Sequence, residues 1–170
     1  WEENSPRALV LEPSRELAVQ VSRELFQIGR KKRLKVPAVF GGFPIDKQMQ
    51  TLKQKSHIVV GTPGRVMDLV RRGSLQLSGI IHLVIDEADL MLDMGFLEEV
   101  GEIISLLPEN RKILLFSATL EKQVQTLIDN YAADAVFVAQ DQEDGPPPSI
   151  GQAVYEVTAE NKYEMFKRVL

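Results

Sequence analysis

The sequence contains no cysteine, and no run approaches the roughly 20 apolar residues that a membrane-spanning helix requires. Without cysteine there are neither disulfides nor thiolate metal sites, which is compatible with a reducing cytoplasm, the location we expect. No membrane partner is expected. The first four residues, Trp1 to Asn4, lack an initiator methionine and the basic and apolar regions of a signal peptide, so we interpret them as a cut inside a longer chain.

The sequence also lacks an excess of positive charge. Its 20 Lys and Arg residues face 24 Asp and Glu residues, for a net charge of −4. Because a protein that binds nucleic acid through bulk charge is usually basic, any nucleic-acid binding here would have to use backbone N–H groups, helix N-termini and a few arginines. The one dense basic run, Arg30 to Arg33, is interpreted as a helix C-terminus, where cations meet the helix dipole.

Short apolar runs and amphipathic stretches alternate along the 170 residues. Strands are predicted over residues 8–11, 36–40, 57–60, 80–85, 112–116 and 135–138. Helices are predicted over residues 14–30, 45–53, 65–72, 97–106 and 121–131. Strand–helix alternation with continuously apolar strands predicts an α/β fold, in which a parallel sheet carries helices on both faces.

The composition changes after residue 138. Residues 139–149 are acidic and then proline-rich, which predicts an interdomain linker. Residues 153–157 resemble a strand and residues 161–170 the start of a helix, too little to form a core alone. We therefore predict one domain over residues 1–138 and the start of a second over residues 150–170.

An acidic motif, Asp86-Glu87-Ala88-Asp89, follows the strand predicted over residues 80–85. Ligands of parallel sheets bind at the carboxyl ends of the strands, and an acid delivered there is the Walker-B arrangement, in which the Asp holds a nucleotide-bound Mg²⁺. Glu87 could orient or deprotonate an attacking water. A lone Asp-Glu pair could instead simply begin a helix, where acids are favoured.

Four further motifs accompany the acidic motif, and together the five resemble those of DEAD-box ATP-dependent RNA helicases in kind and in order. They are the Pro-Ser-Arg motif (Pro13-Ser14-Arg15, continued by Glu16-Leu17-Ala18), the Gly-Gly turn (Gly41-Gly42), the Thr-Pro-Gly-Arg motif (Thr62-Pro63-Gly64-Arg65) and the Ser-Ala-Thr motif (Ser117-Ala118-Thr119). Five motifs in register are far more specific than one. The resemblance, from about residue 8 to residue 138, implies a RecA-like sheet, ATP and Mg²⁺ as cofactors, and local RNA unwinding driven by RNA-stimulated ATP hydrolysis.

The resemblance also implies roles for the motif residues. Single-stranded or locally duplex RNA would be held through its backbone, without base reading, by Pro13, Ser14, Arg15, Gly41, Gly42, Thr62, Gly64 and Arg65. Asp86 would hold Mg²⁺ through water, and Asp86 and Glu87 would be catalytic. Ser117 and Thr119 would bond near Asp89 and couple the nucleotide to RNA. From the residues alone, Ser14 and Ser117 could be simple helix N-caps, and Gly41-Gly42 a turn that needs positive φ.

No Gly-x-x-x-x-Gly-Lys phosphate-binding loop occurs in the 170 residues, although the family requires one. The chain alone is therefore expected to be inactive, and its sheet to be incomplete at the N-terminus. An unpaired strand edge would invite a non-native dimer.

Two other functions compete with the RNA helicase. A P-loop ATPase of another class, such as a DNA helicase, would share the Walker-B strand but not the Pro-Ser-Arg and Thr-Pro-Gly-Arg motifs. A binding module that has lost its nucleotide site would act through protein contacts, but it would not need both Asp86 and Glu87.

Overall fold

Five strands form one parallel sheet in the computed structural model, which describes residues 5–139, 151 and 153–169. They are β1 (Ala8–Leu11), β2 (Ala38–Val39), β3 (Ile58–Gly61), β4 (His82–Ile85) and β5 (Lys112–Leu115). Their order is β2-β3-β1-β4-β5, and every neighbouring pair is parallel. The predicted α/β fold with a parallel sheet is confirmed.

Helices cover both faces of this sheet, and the side chains of β1 show how. Leu9 and Leu11 are fully buried in the larger core, while Val10 points to the opposite face and packs in a second cluster with Ala18. A strand buried on both faces has no polar side to show, which explains the continuous apolar runs. The helices of the unit that holds the sheet are α1 (Arg15–Gly29), α2 (Ile45–Leu52), α3 (Pro63–Arg71), α4 (Ala88–Asp93), α5 (Leu97–Ser105) and α6 (Lys122–Tyr131). A further helix, α7 (Lys162–Val169), belongs to a separate unit.

Helix α1 begins and ends where its sequence dictates. The Oγ of Ser14 accepts a hydrogen bond from the Leu17 N–H at 3.2 Å, which caps the helix N-terminus. After Gly29 the chain tightens into a 3-10 turn over Arg30–Lys32 and stops at Arg33, whose φ of 54° is left-handed. The basic run therefore ends this helix, as its interpretation required.

Two predicted strands are wrong. Residues 135–138 and 153–157 have no strand structure, and Val136, Val138 and Val154 are 89%, 91% and 94% exposed. The apolar pattern is present, but a strand also needs a neighbour for its backbone groups, and the described residues pair none with either segment. Helix α4 was not predicted, because six residues are too few to show a helical period.

The contacts divide the chain into two units, residues 1–135 and 136–170. The first holds the sheet, and the second holds α7, close to the predicted helix over residues 161–170. Apart from residue 139, the predicted linker over residues 139–149 lies outside the described residues. The predicted domain boundaries stay a prediction. In the described part of the chain, no helix is long and apolar enough to cross a membrane.

Candidate functional site

All five motifs follow the carboxyl ends of parallel strands and therefore meet at one edge of the sheet. Across this edge the order is the Gly-Gly turn, the Thr-Pro-Gly-Arg motif, the Pro-Ser-Arg motif, the acidic motif and the Ser-Ala-Thr motif. At a strand spacing of about 4.8 Å the row spans about 19 Å. The three motifs expected to bind RNA are neighbours, and so are the two expected to serve the nucleotide. The two groups meet where β1, which ends in the Pro-Ser-Arg motif, pairs with β4, which ends in the acidic motif.

The acidic motif is tied into the sheet on both sides. The Asp86 N–H donates to the Leu11 carbonyl at 3.1 Å, and the Ala88 N–H donates to the Phe116 carbonyl at 2.9 Å. Between them, Glu87 is exposed and has a left-handed backbone, with φ 45° and ψ 53°. A side chain other than glycine is strained in that region, and such strain clusters at functional sites.

The acidic motif suits a magnesium ion that arrives with a nucleotide. One carboxylate oxygen of Asp86 accepts the Glu87 N–H at 3.0 Å. No group of three or more His, Cys, Asp or Glu residues among those described could hold a metal by itself. Mg²⁺ needs no such cage, because it commonly uses one or two carboxylates together with phosphates and water. A bound Mg²⁺ would neutralise phosphate charge, and Asp86 is the residue that would hold it.

Asp89 joins the acidic motif to the Ser-Ala-Thr motif. Its Oδ2 accepts hydrogen bonds from the N–H and the hydroxyl of Thr119, both at 2.9 Å, and its own N–H donates to the Ser117 Oγ at 3.3 Å. Burial tends to raise the pKa of Asp89, but hydrogen bonds from Thr119, Leu90 and Ser117 outweigh it and lower that pKa. Asp89 is therefore held as an acceptor, and it makes the mutual contact that the family resemblance implied.

A cleft of about 410 Å³ opens between these two motifs. Four of its lining residues are acidic and none is basic; the lining comprises Glu87, Asp89, Leu90, Asp93, Ala118, Thr119 and Glu121. Bare phosphates would be repelled by such a wall. A nucleotide would have to bring a divalent cation or meet basic groups from elsewhere in the protein.

The Pro-Ser-Arg motif, which follows β1, presents one cation. Pro13 is buried, and the Ser14 hydroxyl caps α1, so its N-cap role is real. The exposed Arg15 guanidinium lies 5.0 Å from the centre of the Phe40 ring, a cation–π contact that joins this motif to the segment before the Gly-Gly turn.

The Gly-Gly turn has free space beside its glycines, and hydrogen bonds from Gln48 hold the residue that precedes it. No atom lies within 4 Å of where a Cβ would stand on Gly41 or Gly42, so another backbone could approach closely. Gly42 also has a φ of +74°, the positive φ that a plain turn would need. Beneath it, the buried Gln48 amide accepts from the Phe40 N–H at 3.1 Å and donates to the Phe40 carbonyl at 3.0 Å.

The Thr-Pro-Gly-Arg motif begins α3, with Thr62 at the N-cap position and Pro63 in the first turn. Gly64 is open, with its nearest neighbour 4.0 Å from a built Cβ. The Arg65 side chain does not project freely into solvent. It is only 12% exposed, and its Nη1 donates to the Phe43 carbonyl at 2.9 Å. That contact stabilises the loop after the Gly-Gly turn, independently of any contact that Arg65 makes with RNA.

Sequence reasoning missed Glu12, which follows β1 as Asp86 follows β4. Glu12 is fully buried, and neither carboxyl oxygen has a hydrogen-bond partner among the described residues. Burial, and then the charges of Asp86 and Glu87, raise the pKa of Glu12 to about 7. An acid directly after an apolar strand was the signal that could have revealed it. Gln48 left no such signal, because it is one polar residue within an amphipathic helix.

The sequence model of the DEAD/DEAH box helicase family matches residues 1–127. The chain belongs to the DEAD/DEAH box helicase family. It is 49% identical over 170 residues to a Bacillus subtilis protein named ATP-dependent RNA helicase DbpA. The match covers 100% of this chain and 36% of that protein. It is 54% identical over 126 residues to the DEAD-box ATP-dependent RNA helicase CshA of Streptococcus pneumoniae, covering 74% of this chain and 24% of CshA.

Solved structures show the same fold. A DEAD box protein from the hyperthermophile Methanococcus jannaschii matches with a TM-score of 0.79 and 37% identity, over 99% of this DEAD-box chain and 45% of its own. A protein described as a hypothetical ATP-dependent RNA helicase from Sulfolobus tokodaii matches with a TM-score of 0.71 and 38% identity, over 76% and 39%. The RecA-like fold expected from the resemblance is thereby confirmed. The chain spans only about a third of the length of the first of its curated relatives.

Proposed function

We propose that the protein to which this chain belongs is an ATP-dependent RNA helicase, which opens short RNA duplexes locally through RNA-stimulated ATP hydrolysis. The observation that carries the proposal is the single sheet edge shared by the two groups of motifs, where the Pro-Ser-Arg motif after β1 lies directly beside the acidic motif after β4. The strands at which the two groups meet are paired with each other, so a displacement of one group acts directly on the other. The names of the bacterial relatives support the same activity.

In this proposal the acidic motif serves hydrolysis. Asp86 holds Mg²⁺ through water, and ATP and Mg²⁺ are the cofactors. Glu87 orients or deprotonates the attacking water, and its exposure beside the cleft is what that role requires. Asp89, Ser117 and Thr119 link the two motifs, so a nucleotide that shifts one of them shifts the other.

RNA would lie along the other half of the edge. The open Gly41 and Gly42, the helix starts at Ser14 and Thr62, and the Arg15 guanidinium supply close approach, N–H groups and charge. Such groups contact sugar and phosphate rather than base edges, which suits a chain with a net charge of −4.

The proposal extends to the layout of the chain. Residues 1–138 would belong to the first helicase domain, residues 139–149 to a linker, and residues 150–170 to the second domain. Without a phosphate-binding loop in its 170 residues, the chain by itself should hydrolyse ATP negligibly. A dimer through an edge strand and a cytoplasmic location stay predictions.

The test is ATP hydrolysis by the full-length protein, with and without single-stranded RNA, for wild type, Glu87→Gln and Asp93→Asn. Asp93 is the matched control, because it lines the same cleft and is exposed but lies outside the acidic motif. RNA should stimulate the wild type and Asp93→Asn, and Glu87→Gln should lose turnover. Residues 1–170 alone should be silent.

Two results would decide against the proposal. If single-stranded DNA stimulates hydrolysis as well as RNA does, the protein is an ATPase of another class. If the full-length protein hydrolyses nothing with any nucleic acid, the domain is a binding module.

A further inference from the structure

Phe43 is an exposed aromatic side chain directly after the Gly-Gly turn. Phe43 is 39% exposed, whereas Phe40, on the other side of the turn, is 9% exposed. The two ring centres are 6.0 Å apart and the rings are tilted by 57°. Phe43 therefore packs against the buried Phe40 ring and presents apolar surface beside the glycines.

The backbone beneath this ring is fixed from two directions. The Phe43 carbonyl accepts a hydrogen bond from Arg65 Nη1 at 2.9 Å and a longer one from Gln48 Nε2 at 3.5 Å. Gln48 is 4% exposed and also holds both backbone groups of Phe40. A ring on a pre-ordered loop loses little entropy when a ligand covers it.

One cation lies near each of the two rings. Lys47 Nζ lies 6.0 Å from the centre of the Phe43 ring, and the Arg15 guanidinium lies 5.0 Å from that of Phe40. Exposed aromatic surface flanked by cations suits a polyanion that carries flat groups, which describes a single-stranded nucleic acid.

We propose that the Phe43 ring stacks on one unpaired nucleobase of an RNA whose backbone lies on the Gly-Gly turn. The inference rests on the proposed RNA-binding function and adds a base contact to it. Glycines and helix N-termini can hold sugar and phosphate only, whereas a ring face binds the π-face of any base. The stacking tolerates every sequence but requires that a base be present.

The experiment measures binding by fluorescence anisotropy to the full-length protein, with Mg²⁺ and a non-hydrolysable ATP analogue present. The probes are an oligoadenylate and an abasic ribose-phosphate oligomer of the same length. The variants are Phe43→Ala, Phe43→Leu and Phe43→Trp. Phe26→Ala is the matched control, because Phe26 is also an exposed Phe and lies on α1 about 18 Å along the helix from Ser14.

Phe43→Ala and Phe43→Leu should weaken oligoadenylate binding about 5- to 150-fold, the range measured for loss of one stacked base. Both variants should bind the abasic oligomer as the wild type does. Phe43→Trp and Phe26→Ala should leave both affinities unchanged, and circular dichroism should show every variant folded.

Three results would overturn the stacking. Phe43→Ala could leave oligoadenylate binding unchanged, which would assign the exposed ring to a protein contact or to nothing. It could weaken both probes equally, in which case Phe43 only shapes the turn. Phe43→Leu could bind as tightly as the wild type, in which case the contact is merely apolar. If the wild type binds neither probe, the proposed RNA-binding function itself fails, which is a distinct outcome.

Discussion

Replacing Glu12 with glutamine should remove a pH dependence from the stability of this domain. The Glu12 carboxyl is fully buried without a hydrogen-bond partner among the described residues, and its pKa is raised from 4.5 to about 7. The carboxyl therefore binds its proton more tightly in the folded state than in the unfolded state. Its contribution to stability is fully present below about pH 4.5 and is lost as the pH rises to about 7.

The size of this effect follows from the shift in the pKa. A rise from 4.5 to about 7 is about 2.5 units, and at 1.36 kcal/mol per unit the ionised carboxyl costs about 3 kcal/mol of folding free energy. Glutamine has the same shape and no charge. We therefore expect Glu12→Gln to match the wild type near pH 4.5 and to be more stable by up to about 3 kcal/mol above pH 7.

The assay is urea denaturation followed by circular dichroism at a series of pH values on both sides of neutrality. Glu16→Gln is the control, because it makes the same chemical change at an exposed position four residues along the chain. Asp86→Asn should reduce the slope in part, since the Asp86 charge is the second cause of the raised pKa. If the free energy of unfolding changed with pH in the same way for the wild type and for Glu12→Gln, the reasoning would be refuted, because Glu12 would then have to be paired or solvated.

Further perturbations test the other contacts of the site. Thr119→Val removes the hydroxyl bond to Asp89 while keeping the shape; RNA stimulation of hydrolysis in the full-length protein should fall while RNA affinity without nucleotide stays the same, and an equal loss of both would contradict the coupling. The same variant should lose less stability on acidification, because hydrogen bonds from Thr119 lower the pKa of Asp89, whose contribution is present above its unfolded pKa and is lost as the pH falls through the lowered folded pKa; an unchanged acid limb in urea denaturation would count against it. Gln48→Leu leaves both Phe40 backbone groups without partners and should cost about 1–3 kcal/mol in the same assay; a cost below that of Gln54→Leu, at an exposed glutamine, would show that the clamp contributes nothing. Glu87→Gly relieves the left-handed backbone and should raise the thermal midpoint while abolishing turnover; a lower midpoint would show that the backbone is not strained.

The position of β1 connects the residues that these tests perturb. It lies between the strand that ends in the acidic motif and the strand that ends in the Thr-Pro-Gly-Arg motif. Asp86 donates its N–H to the end of β1, and Glu12 donates its N–H to Gly61 at 3.0 Å. A displacement at the acidic motif therefore acts directly on β1, which ends in the first of the groups expected to bind RNA.

The sequence by itself determined the class of the fold and the places where chemistry could occur. Continuously apolar strands such as Val59-Val60 require burial on both faces, and burial on both faces requires helices above and below. Parallel strands then bring every motif that follows a strand to one edge. The residues of that edge could be named from the sequence, because each lies a fixed few positions after a strand.

Only the tertiary structure decided which motifs are neighbours and which groups hold them. Strand order depends on crossovers that local periodicity does not record, so the division of the motifs into two groups that meet between β1 and β4 was invisible. The raised pKa of Glu12 and the clamp made by Gln48 arise from through-space contacts in the folded chain. The same cause explains the failure at residues 135–138: an apolar run has strand propensity, but a strand exists only when a neighbour pairs with its backbone.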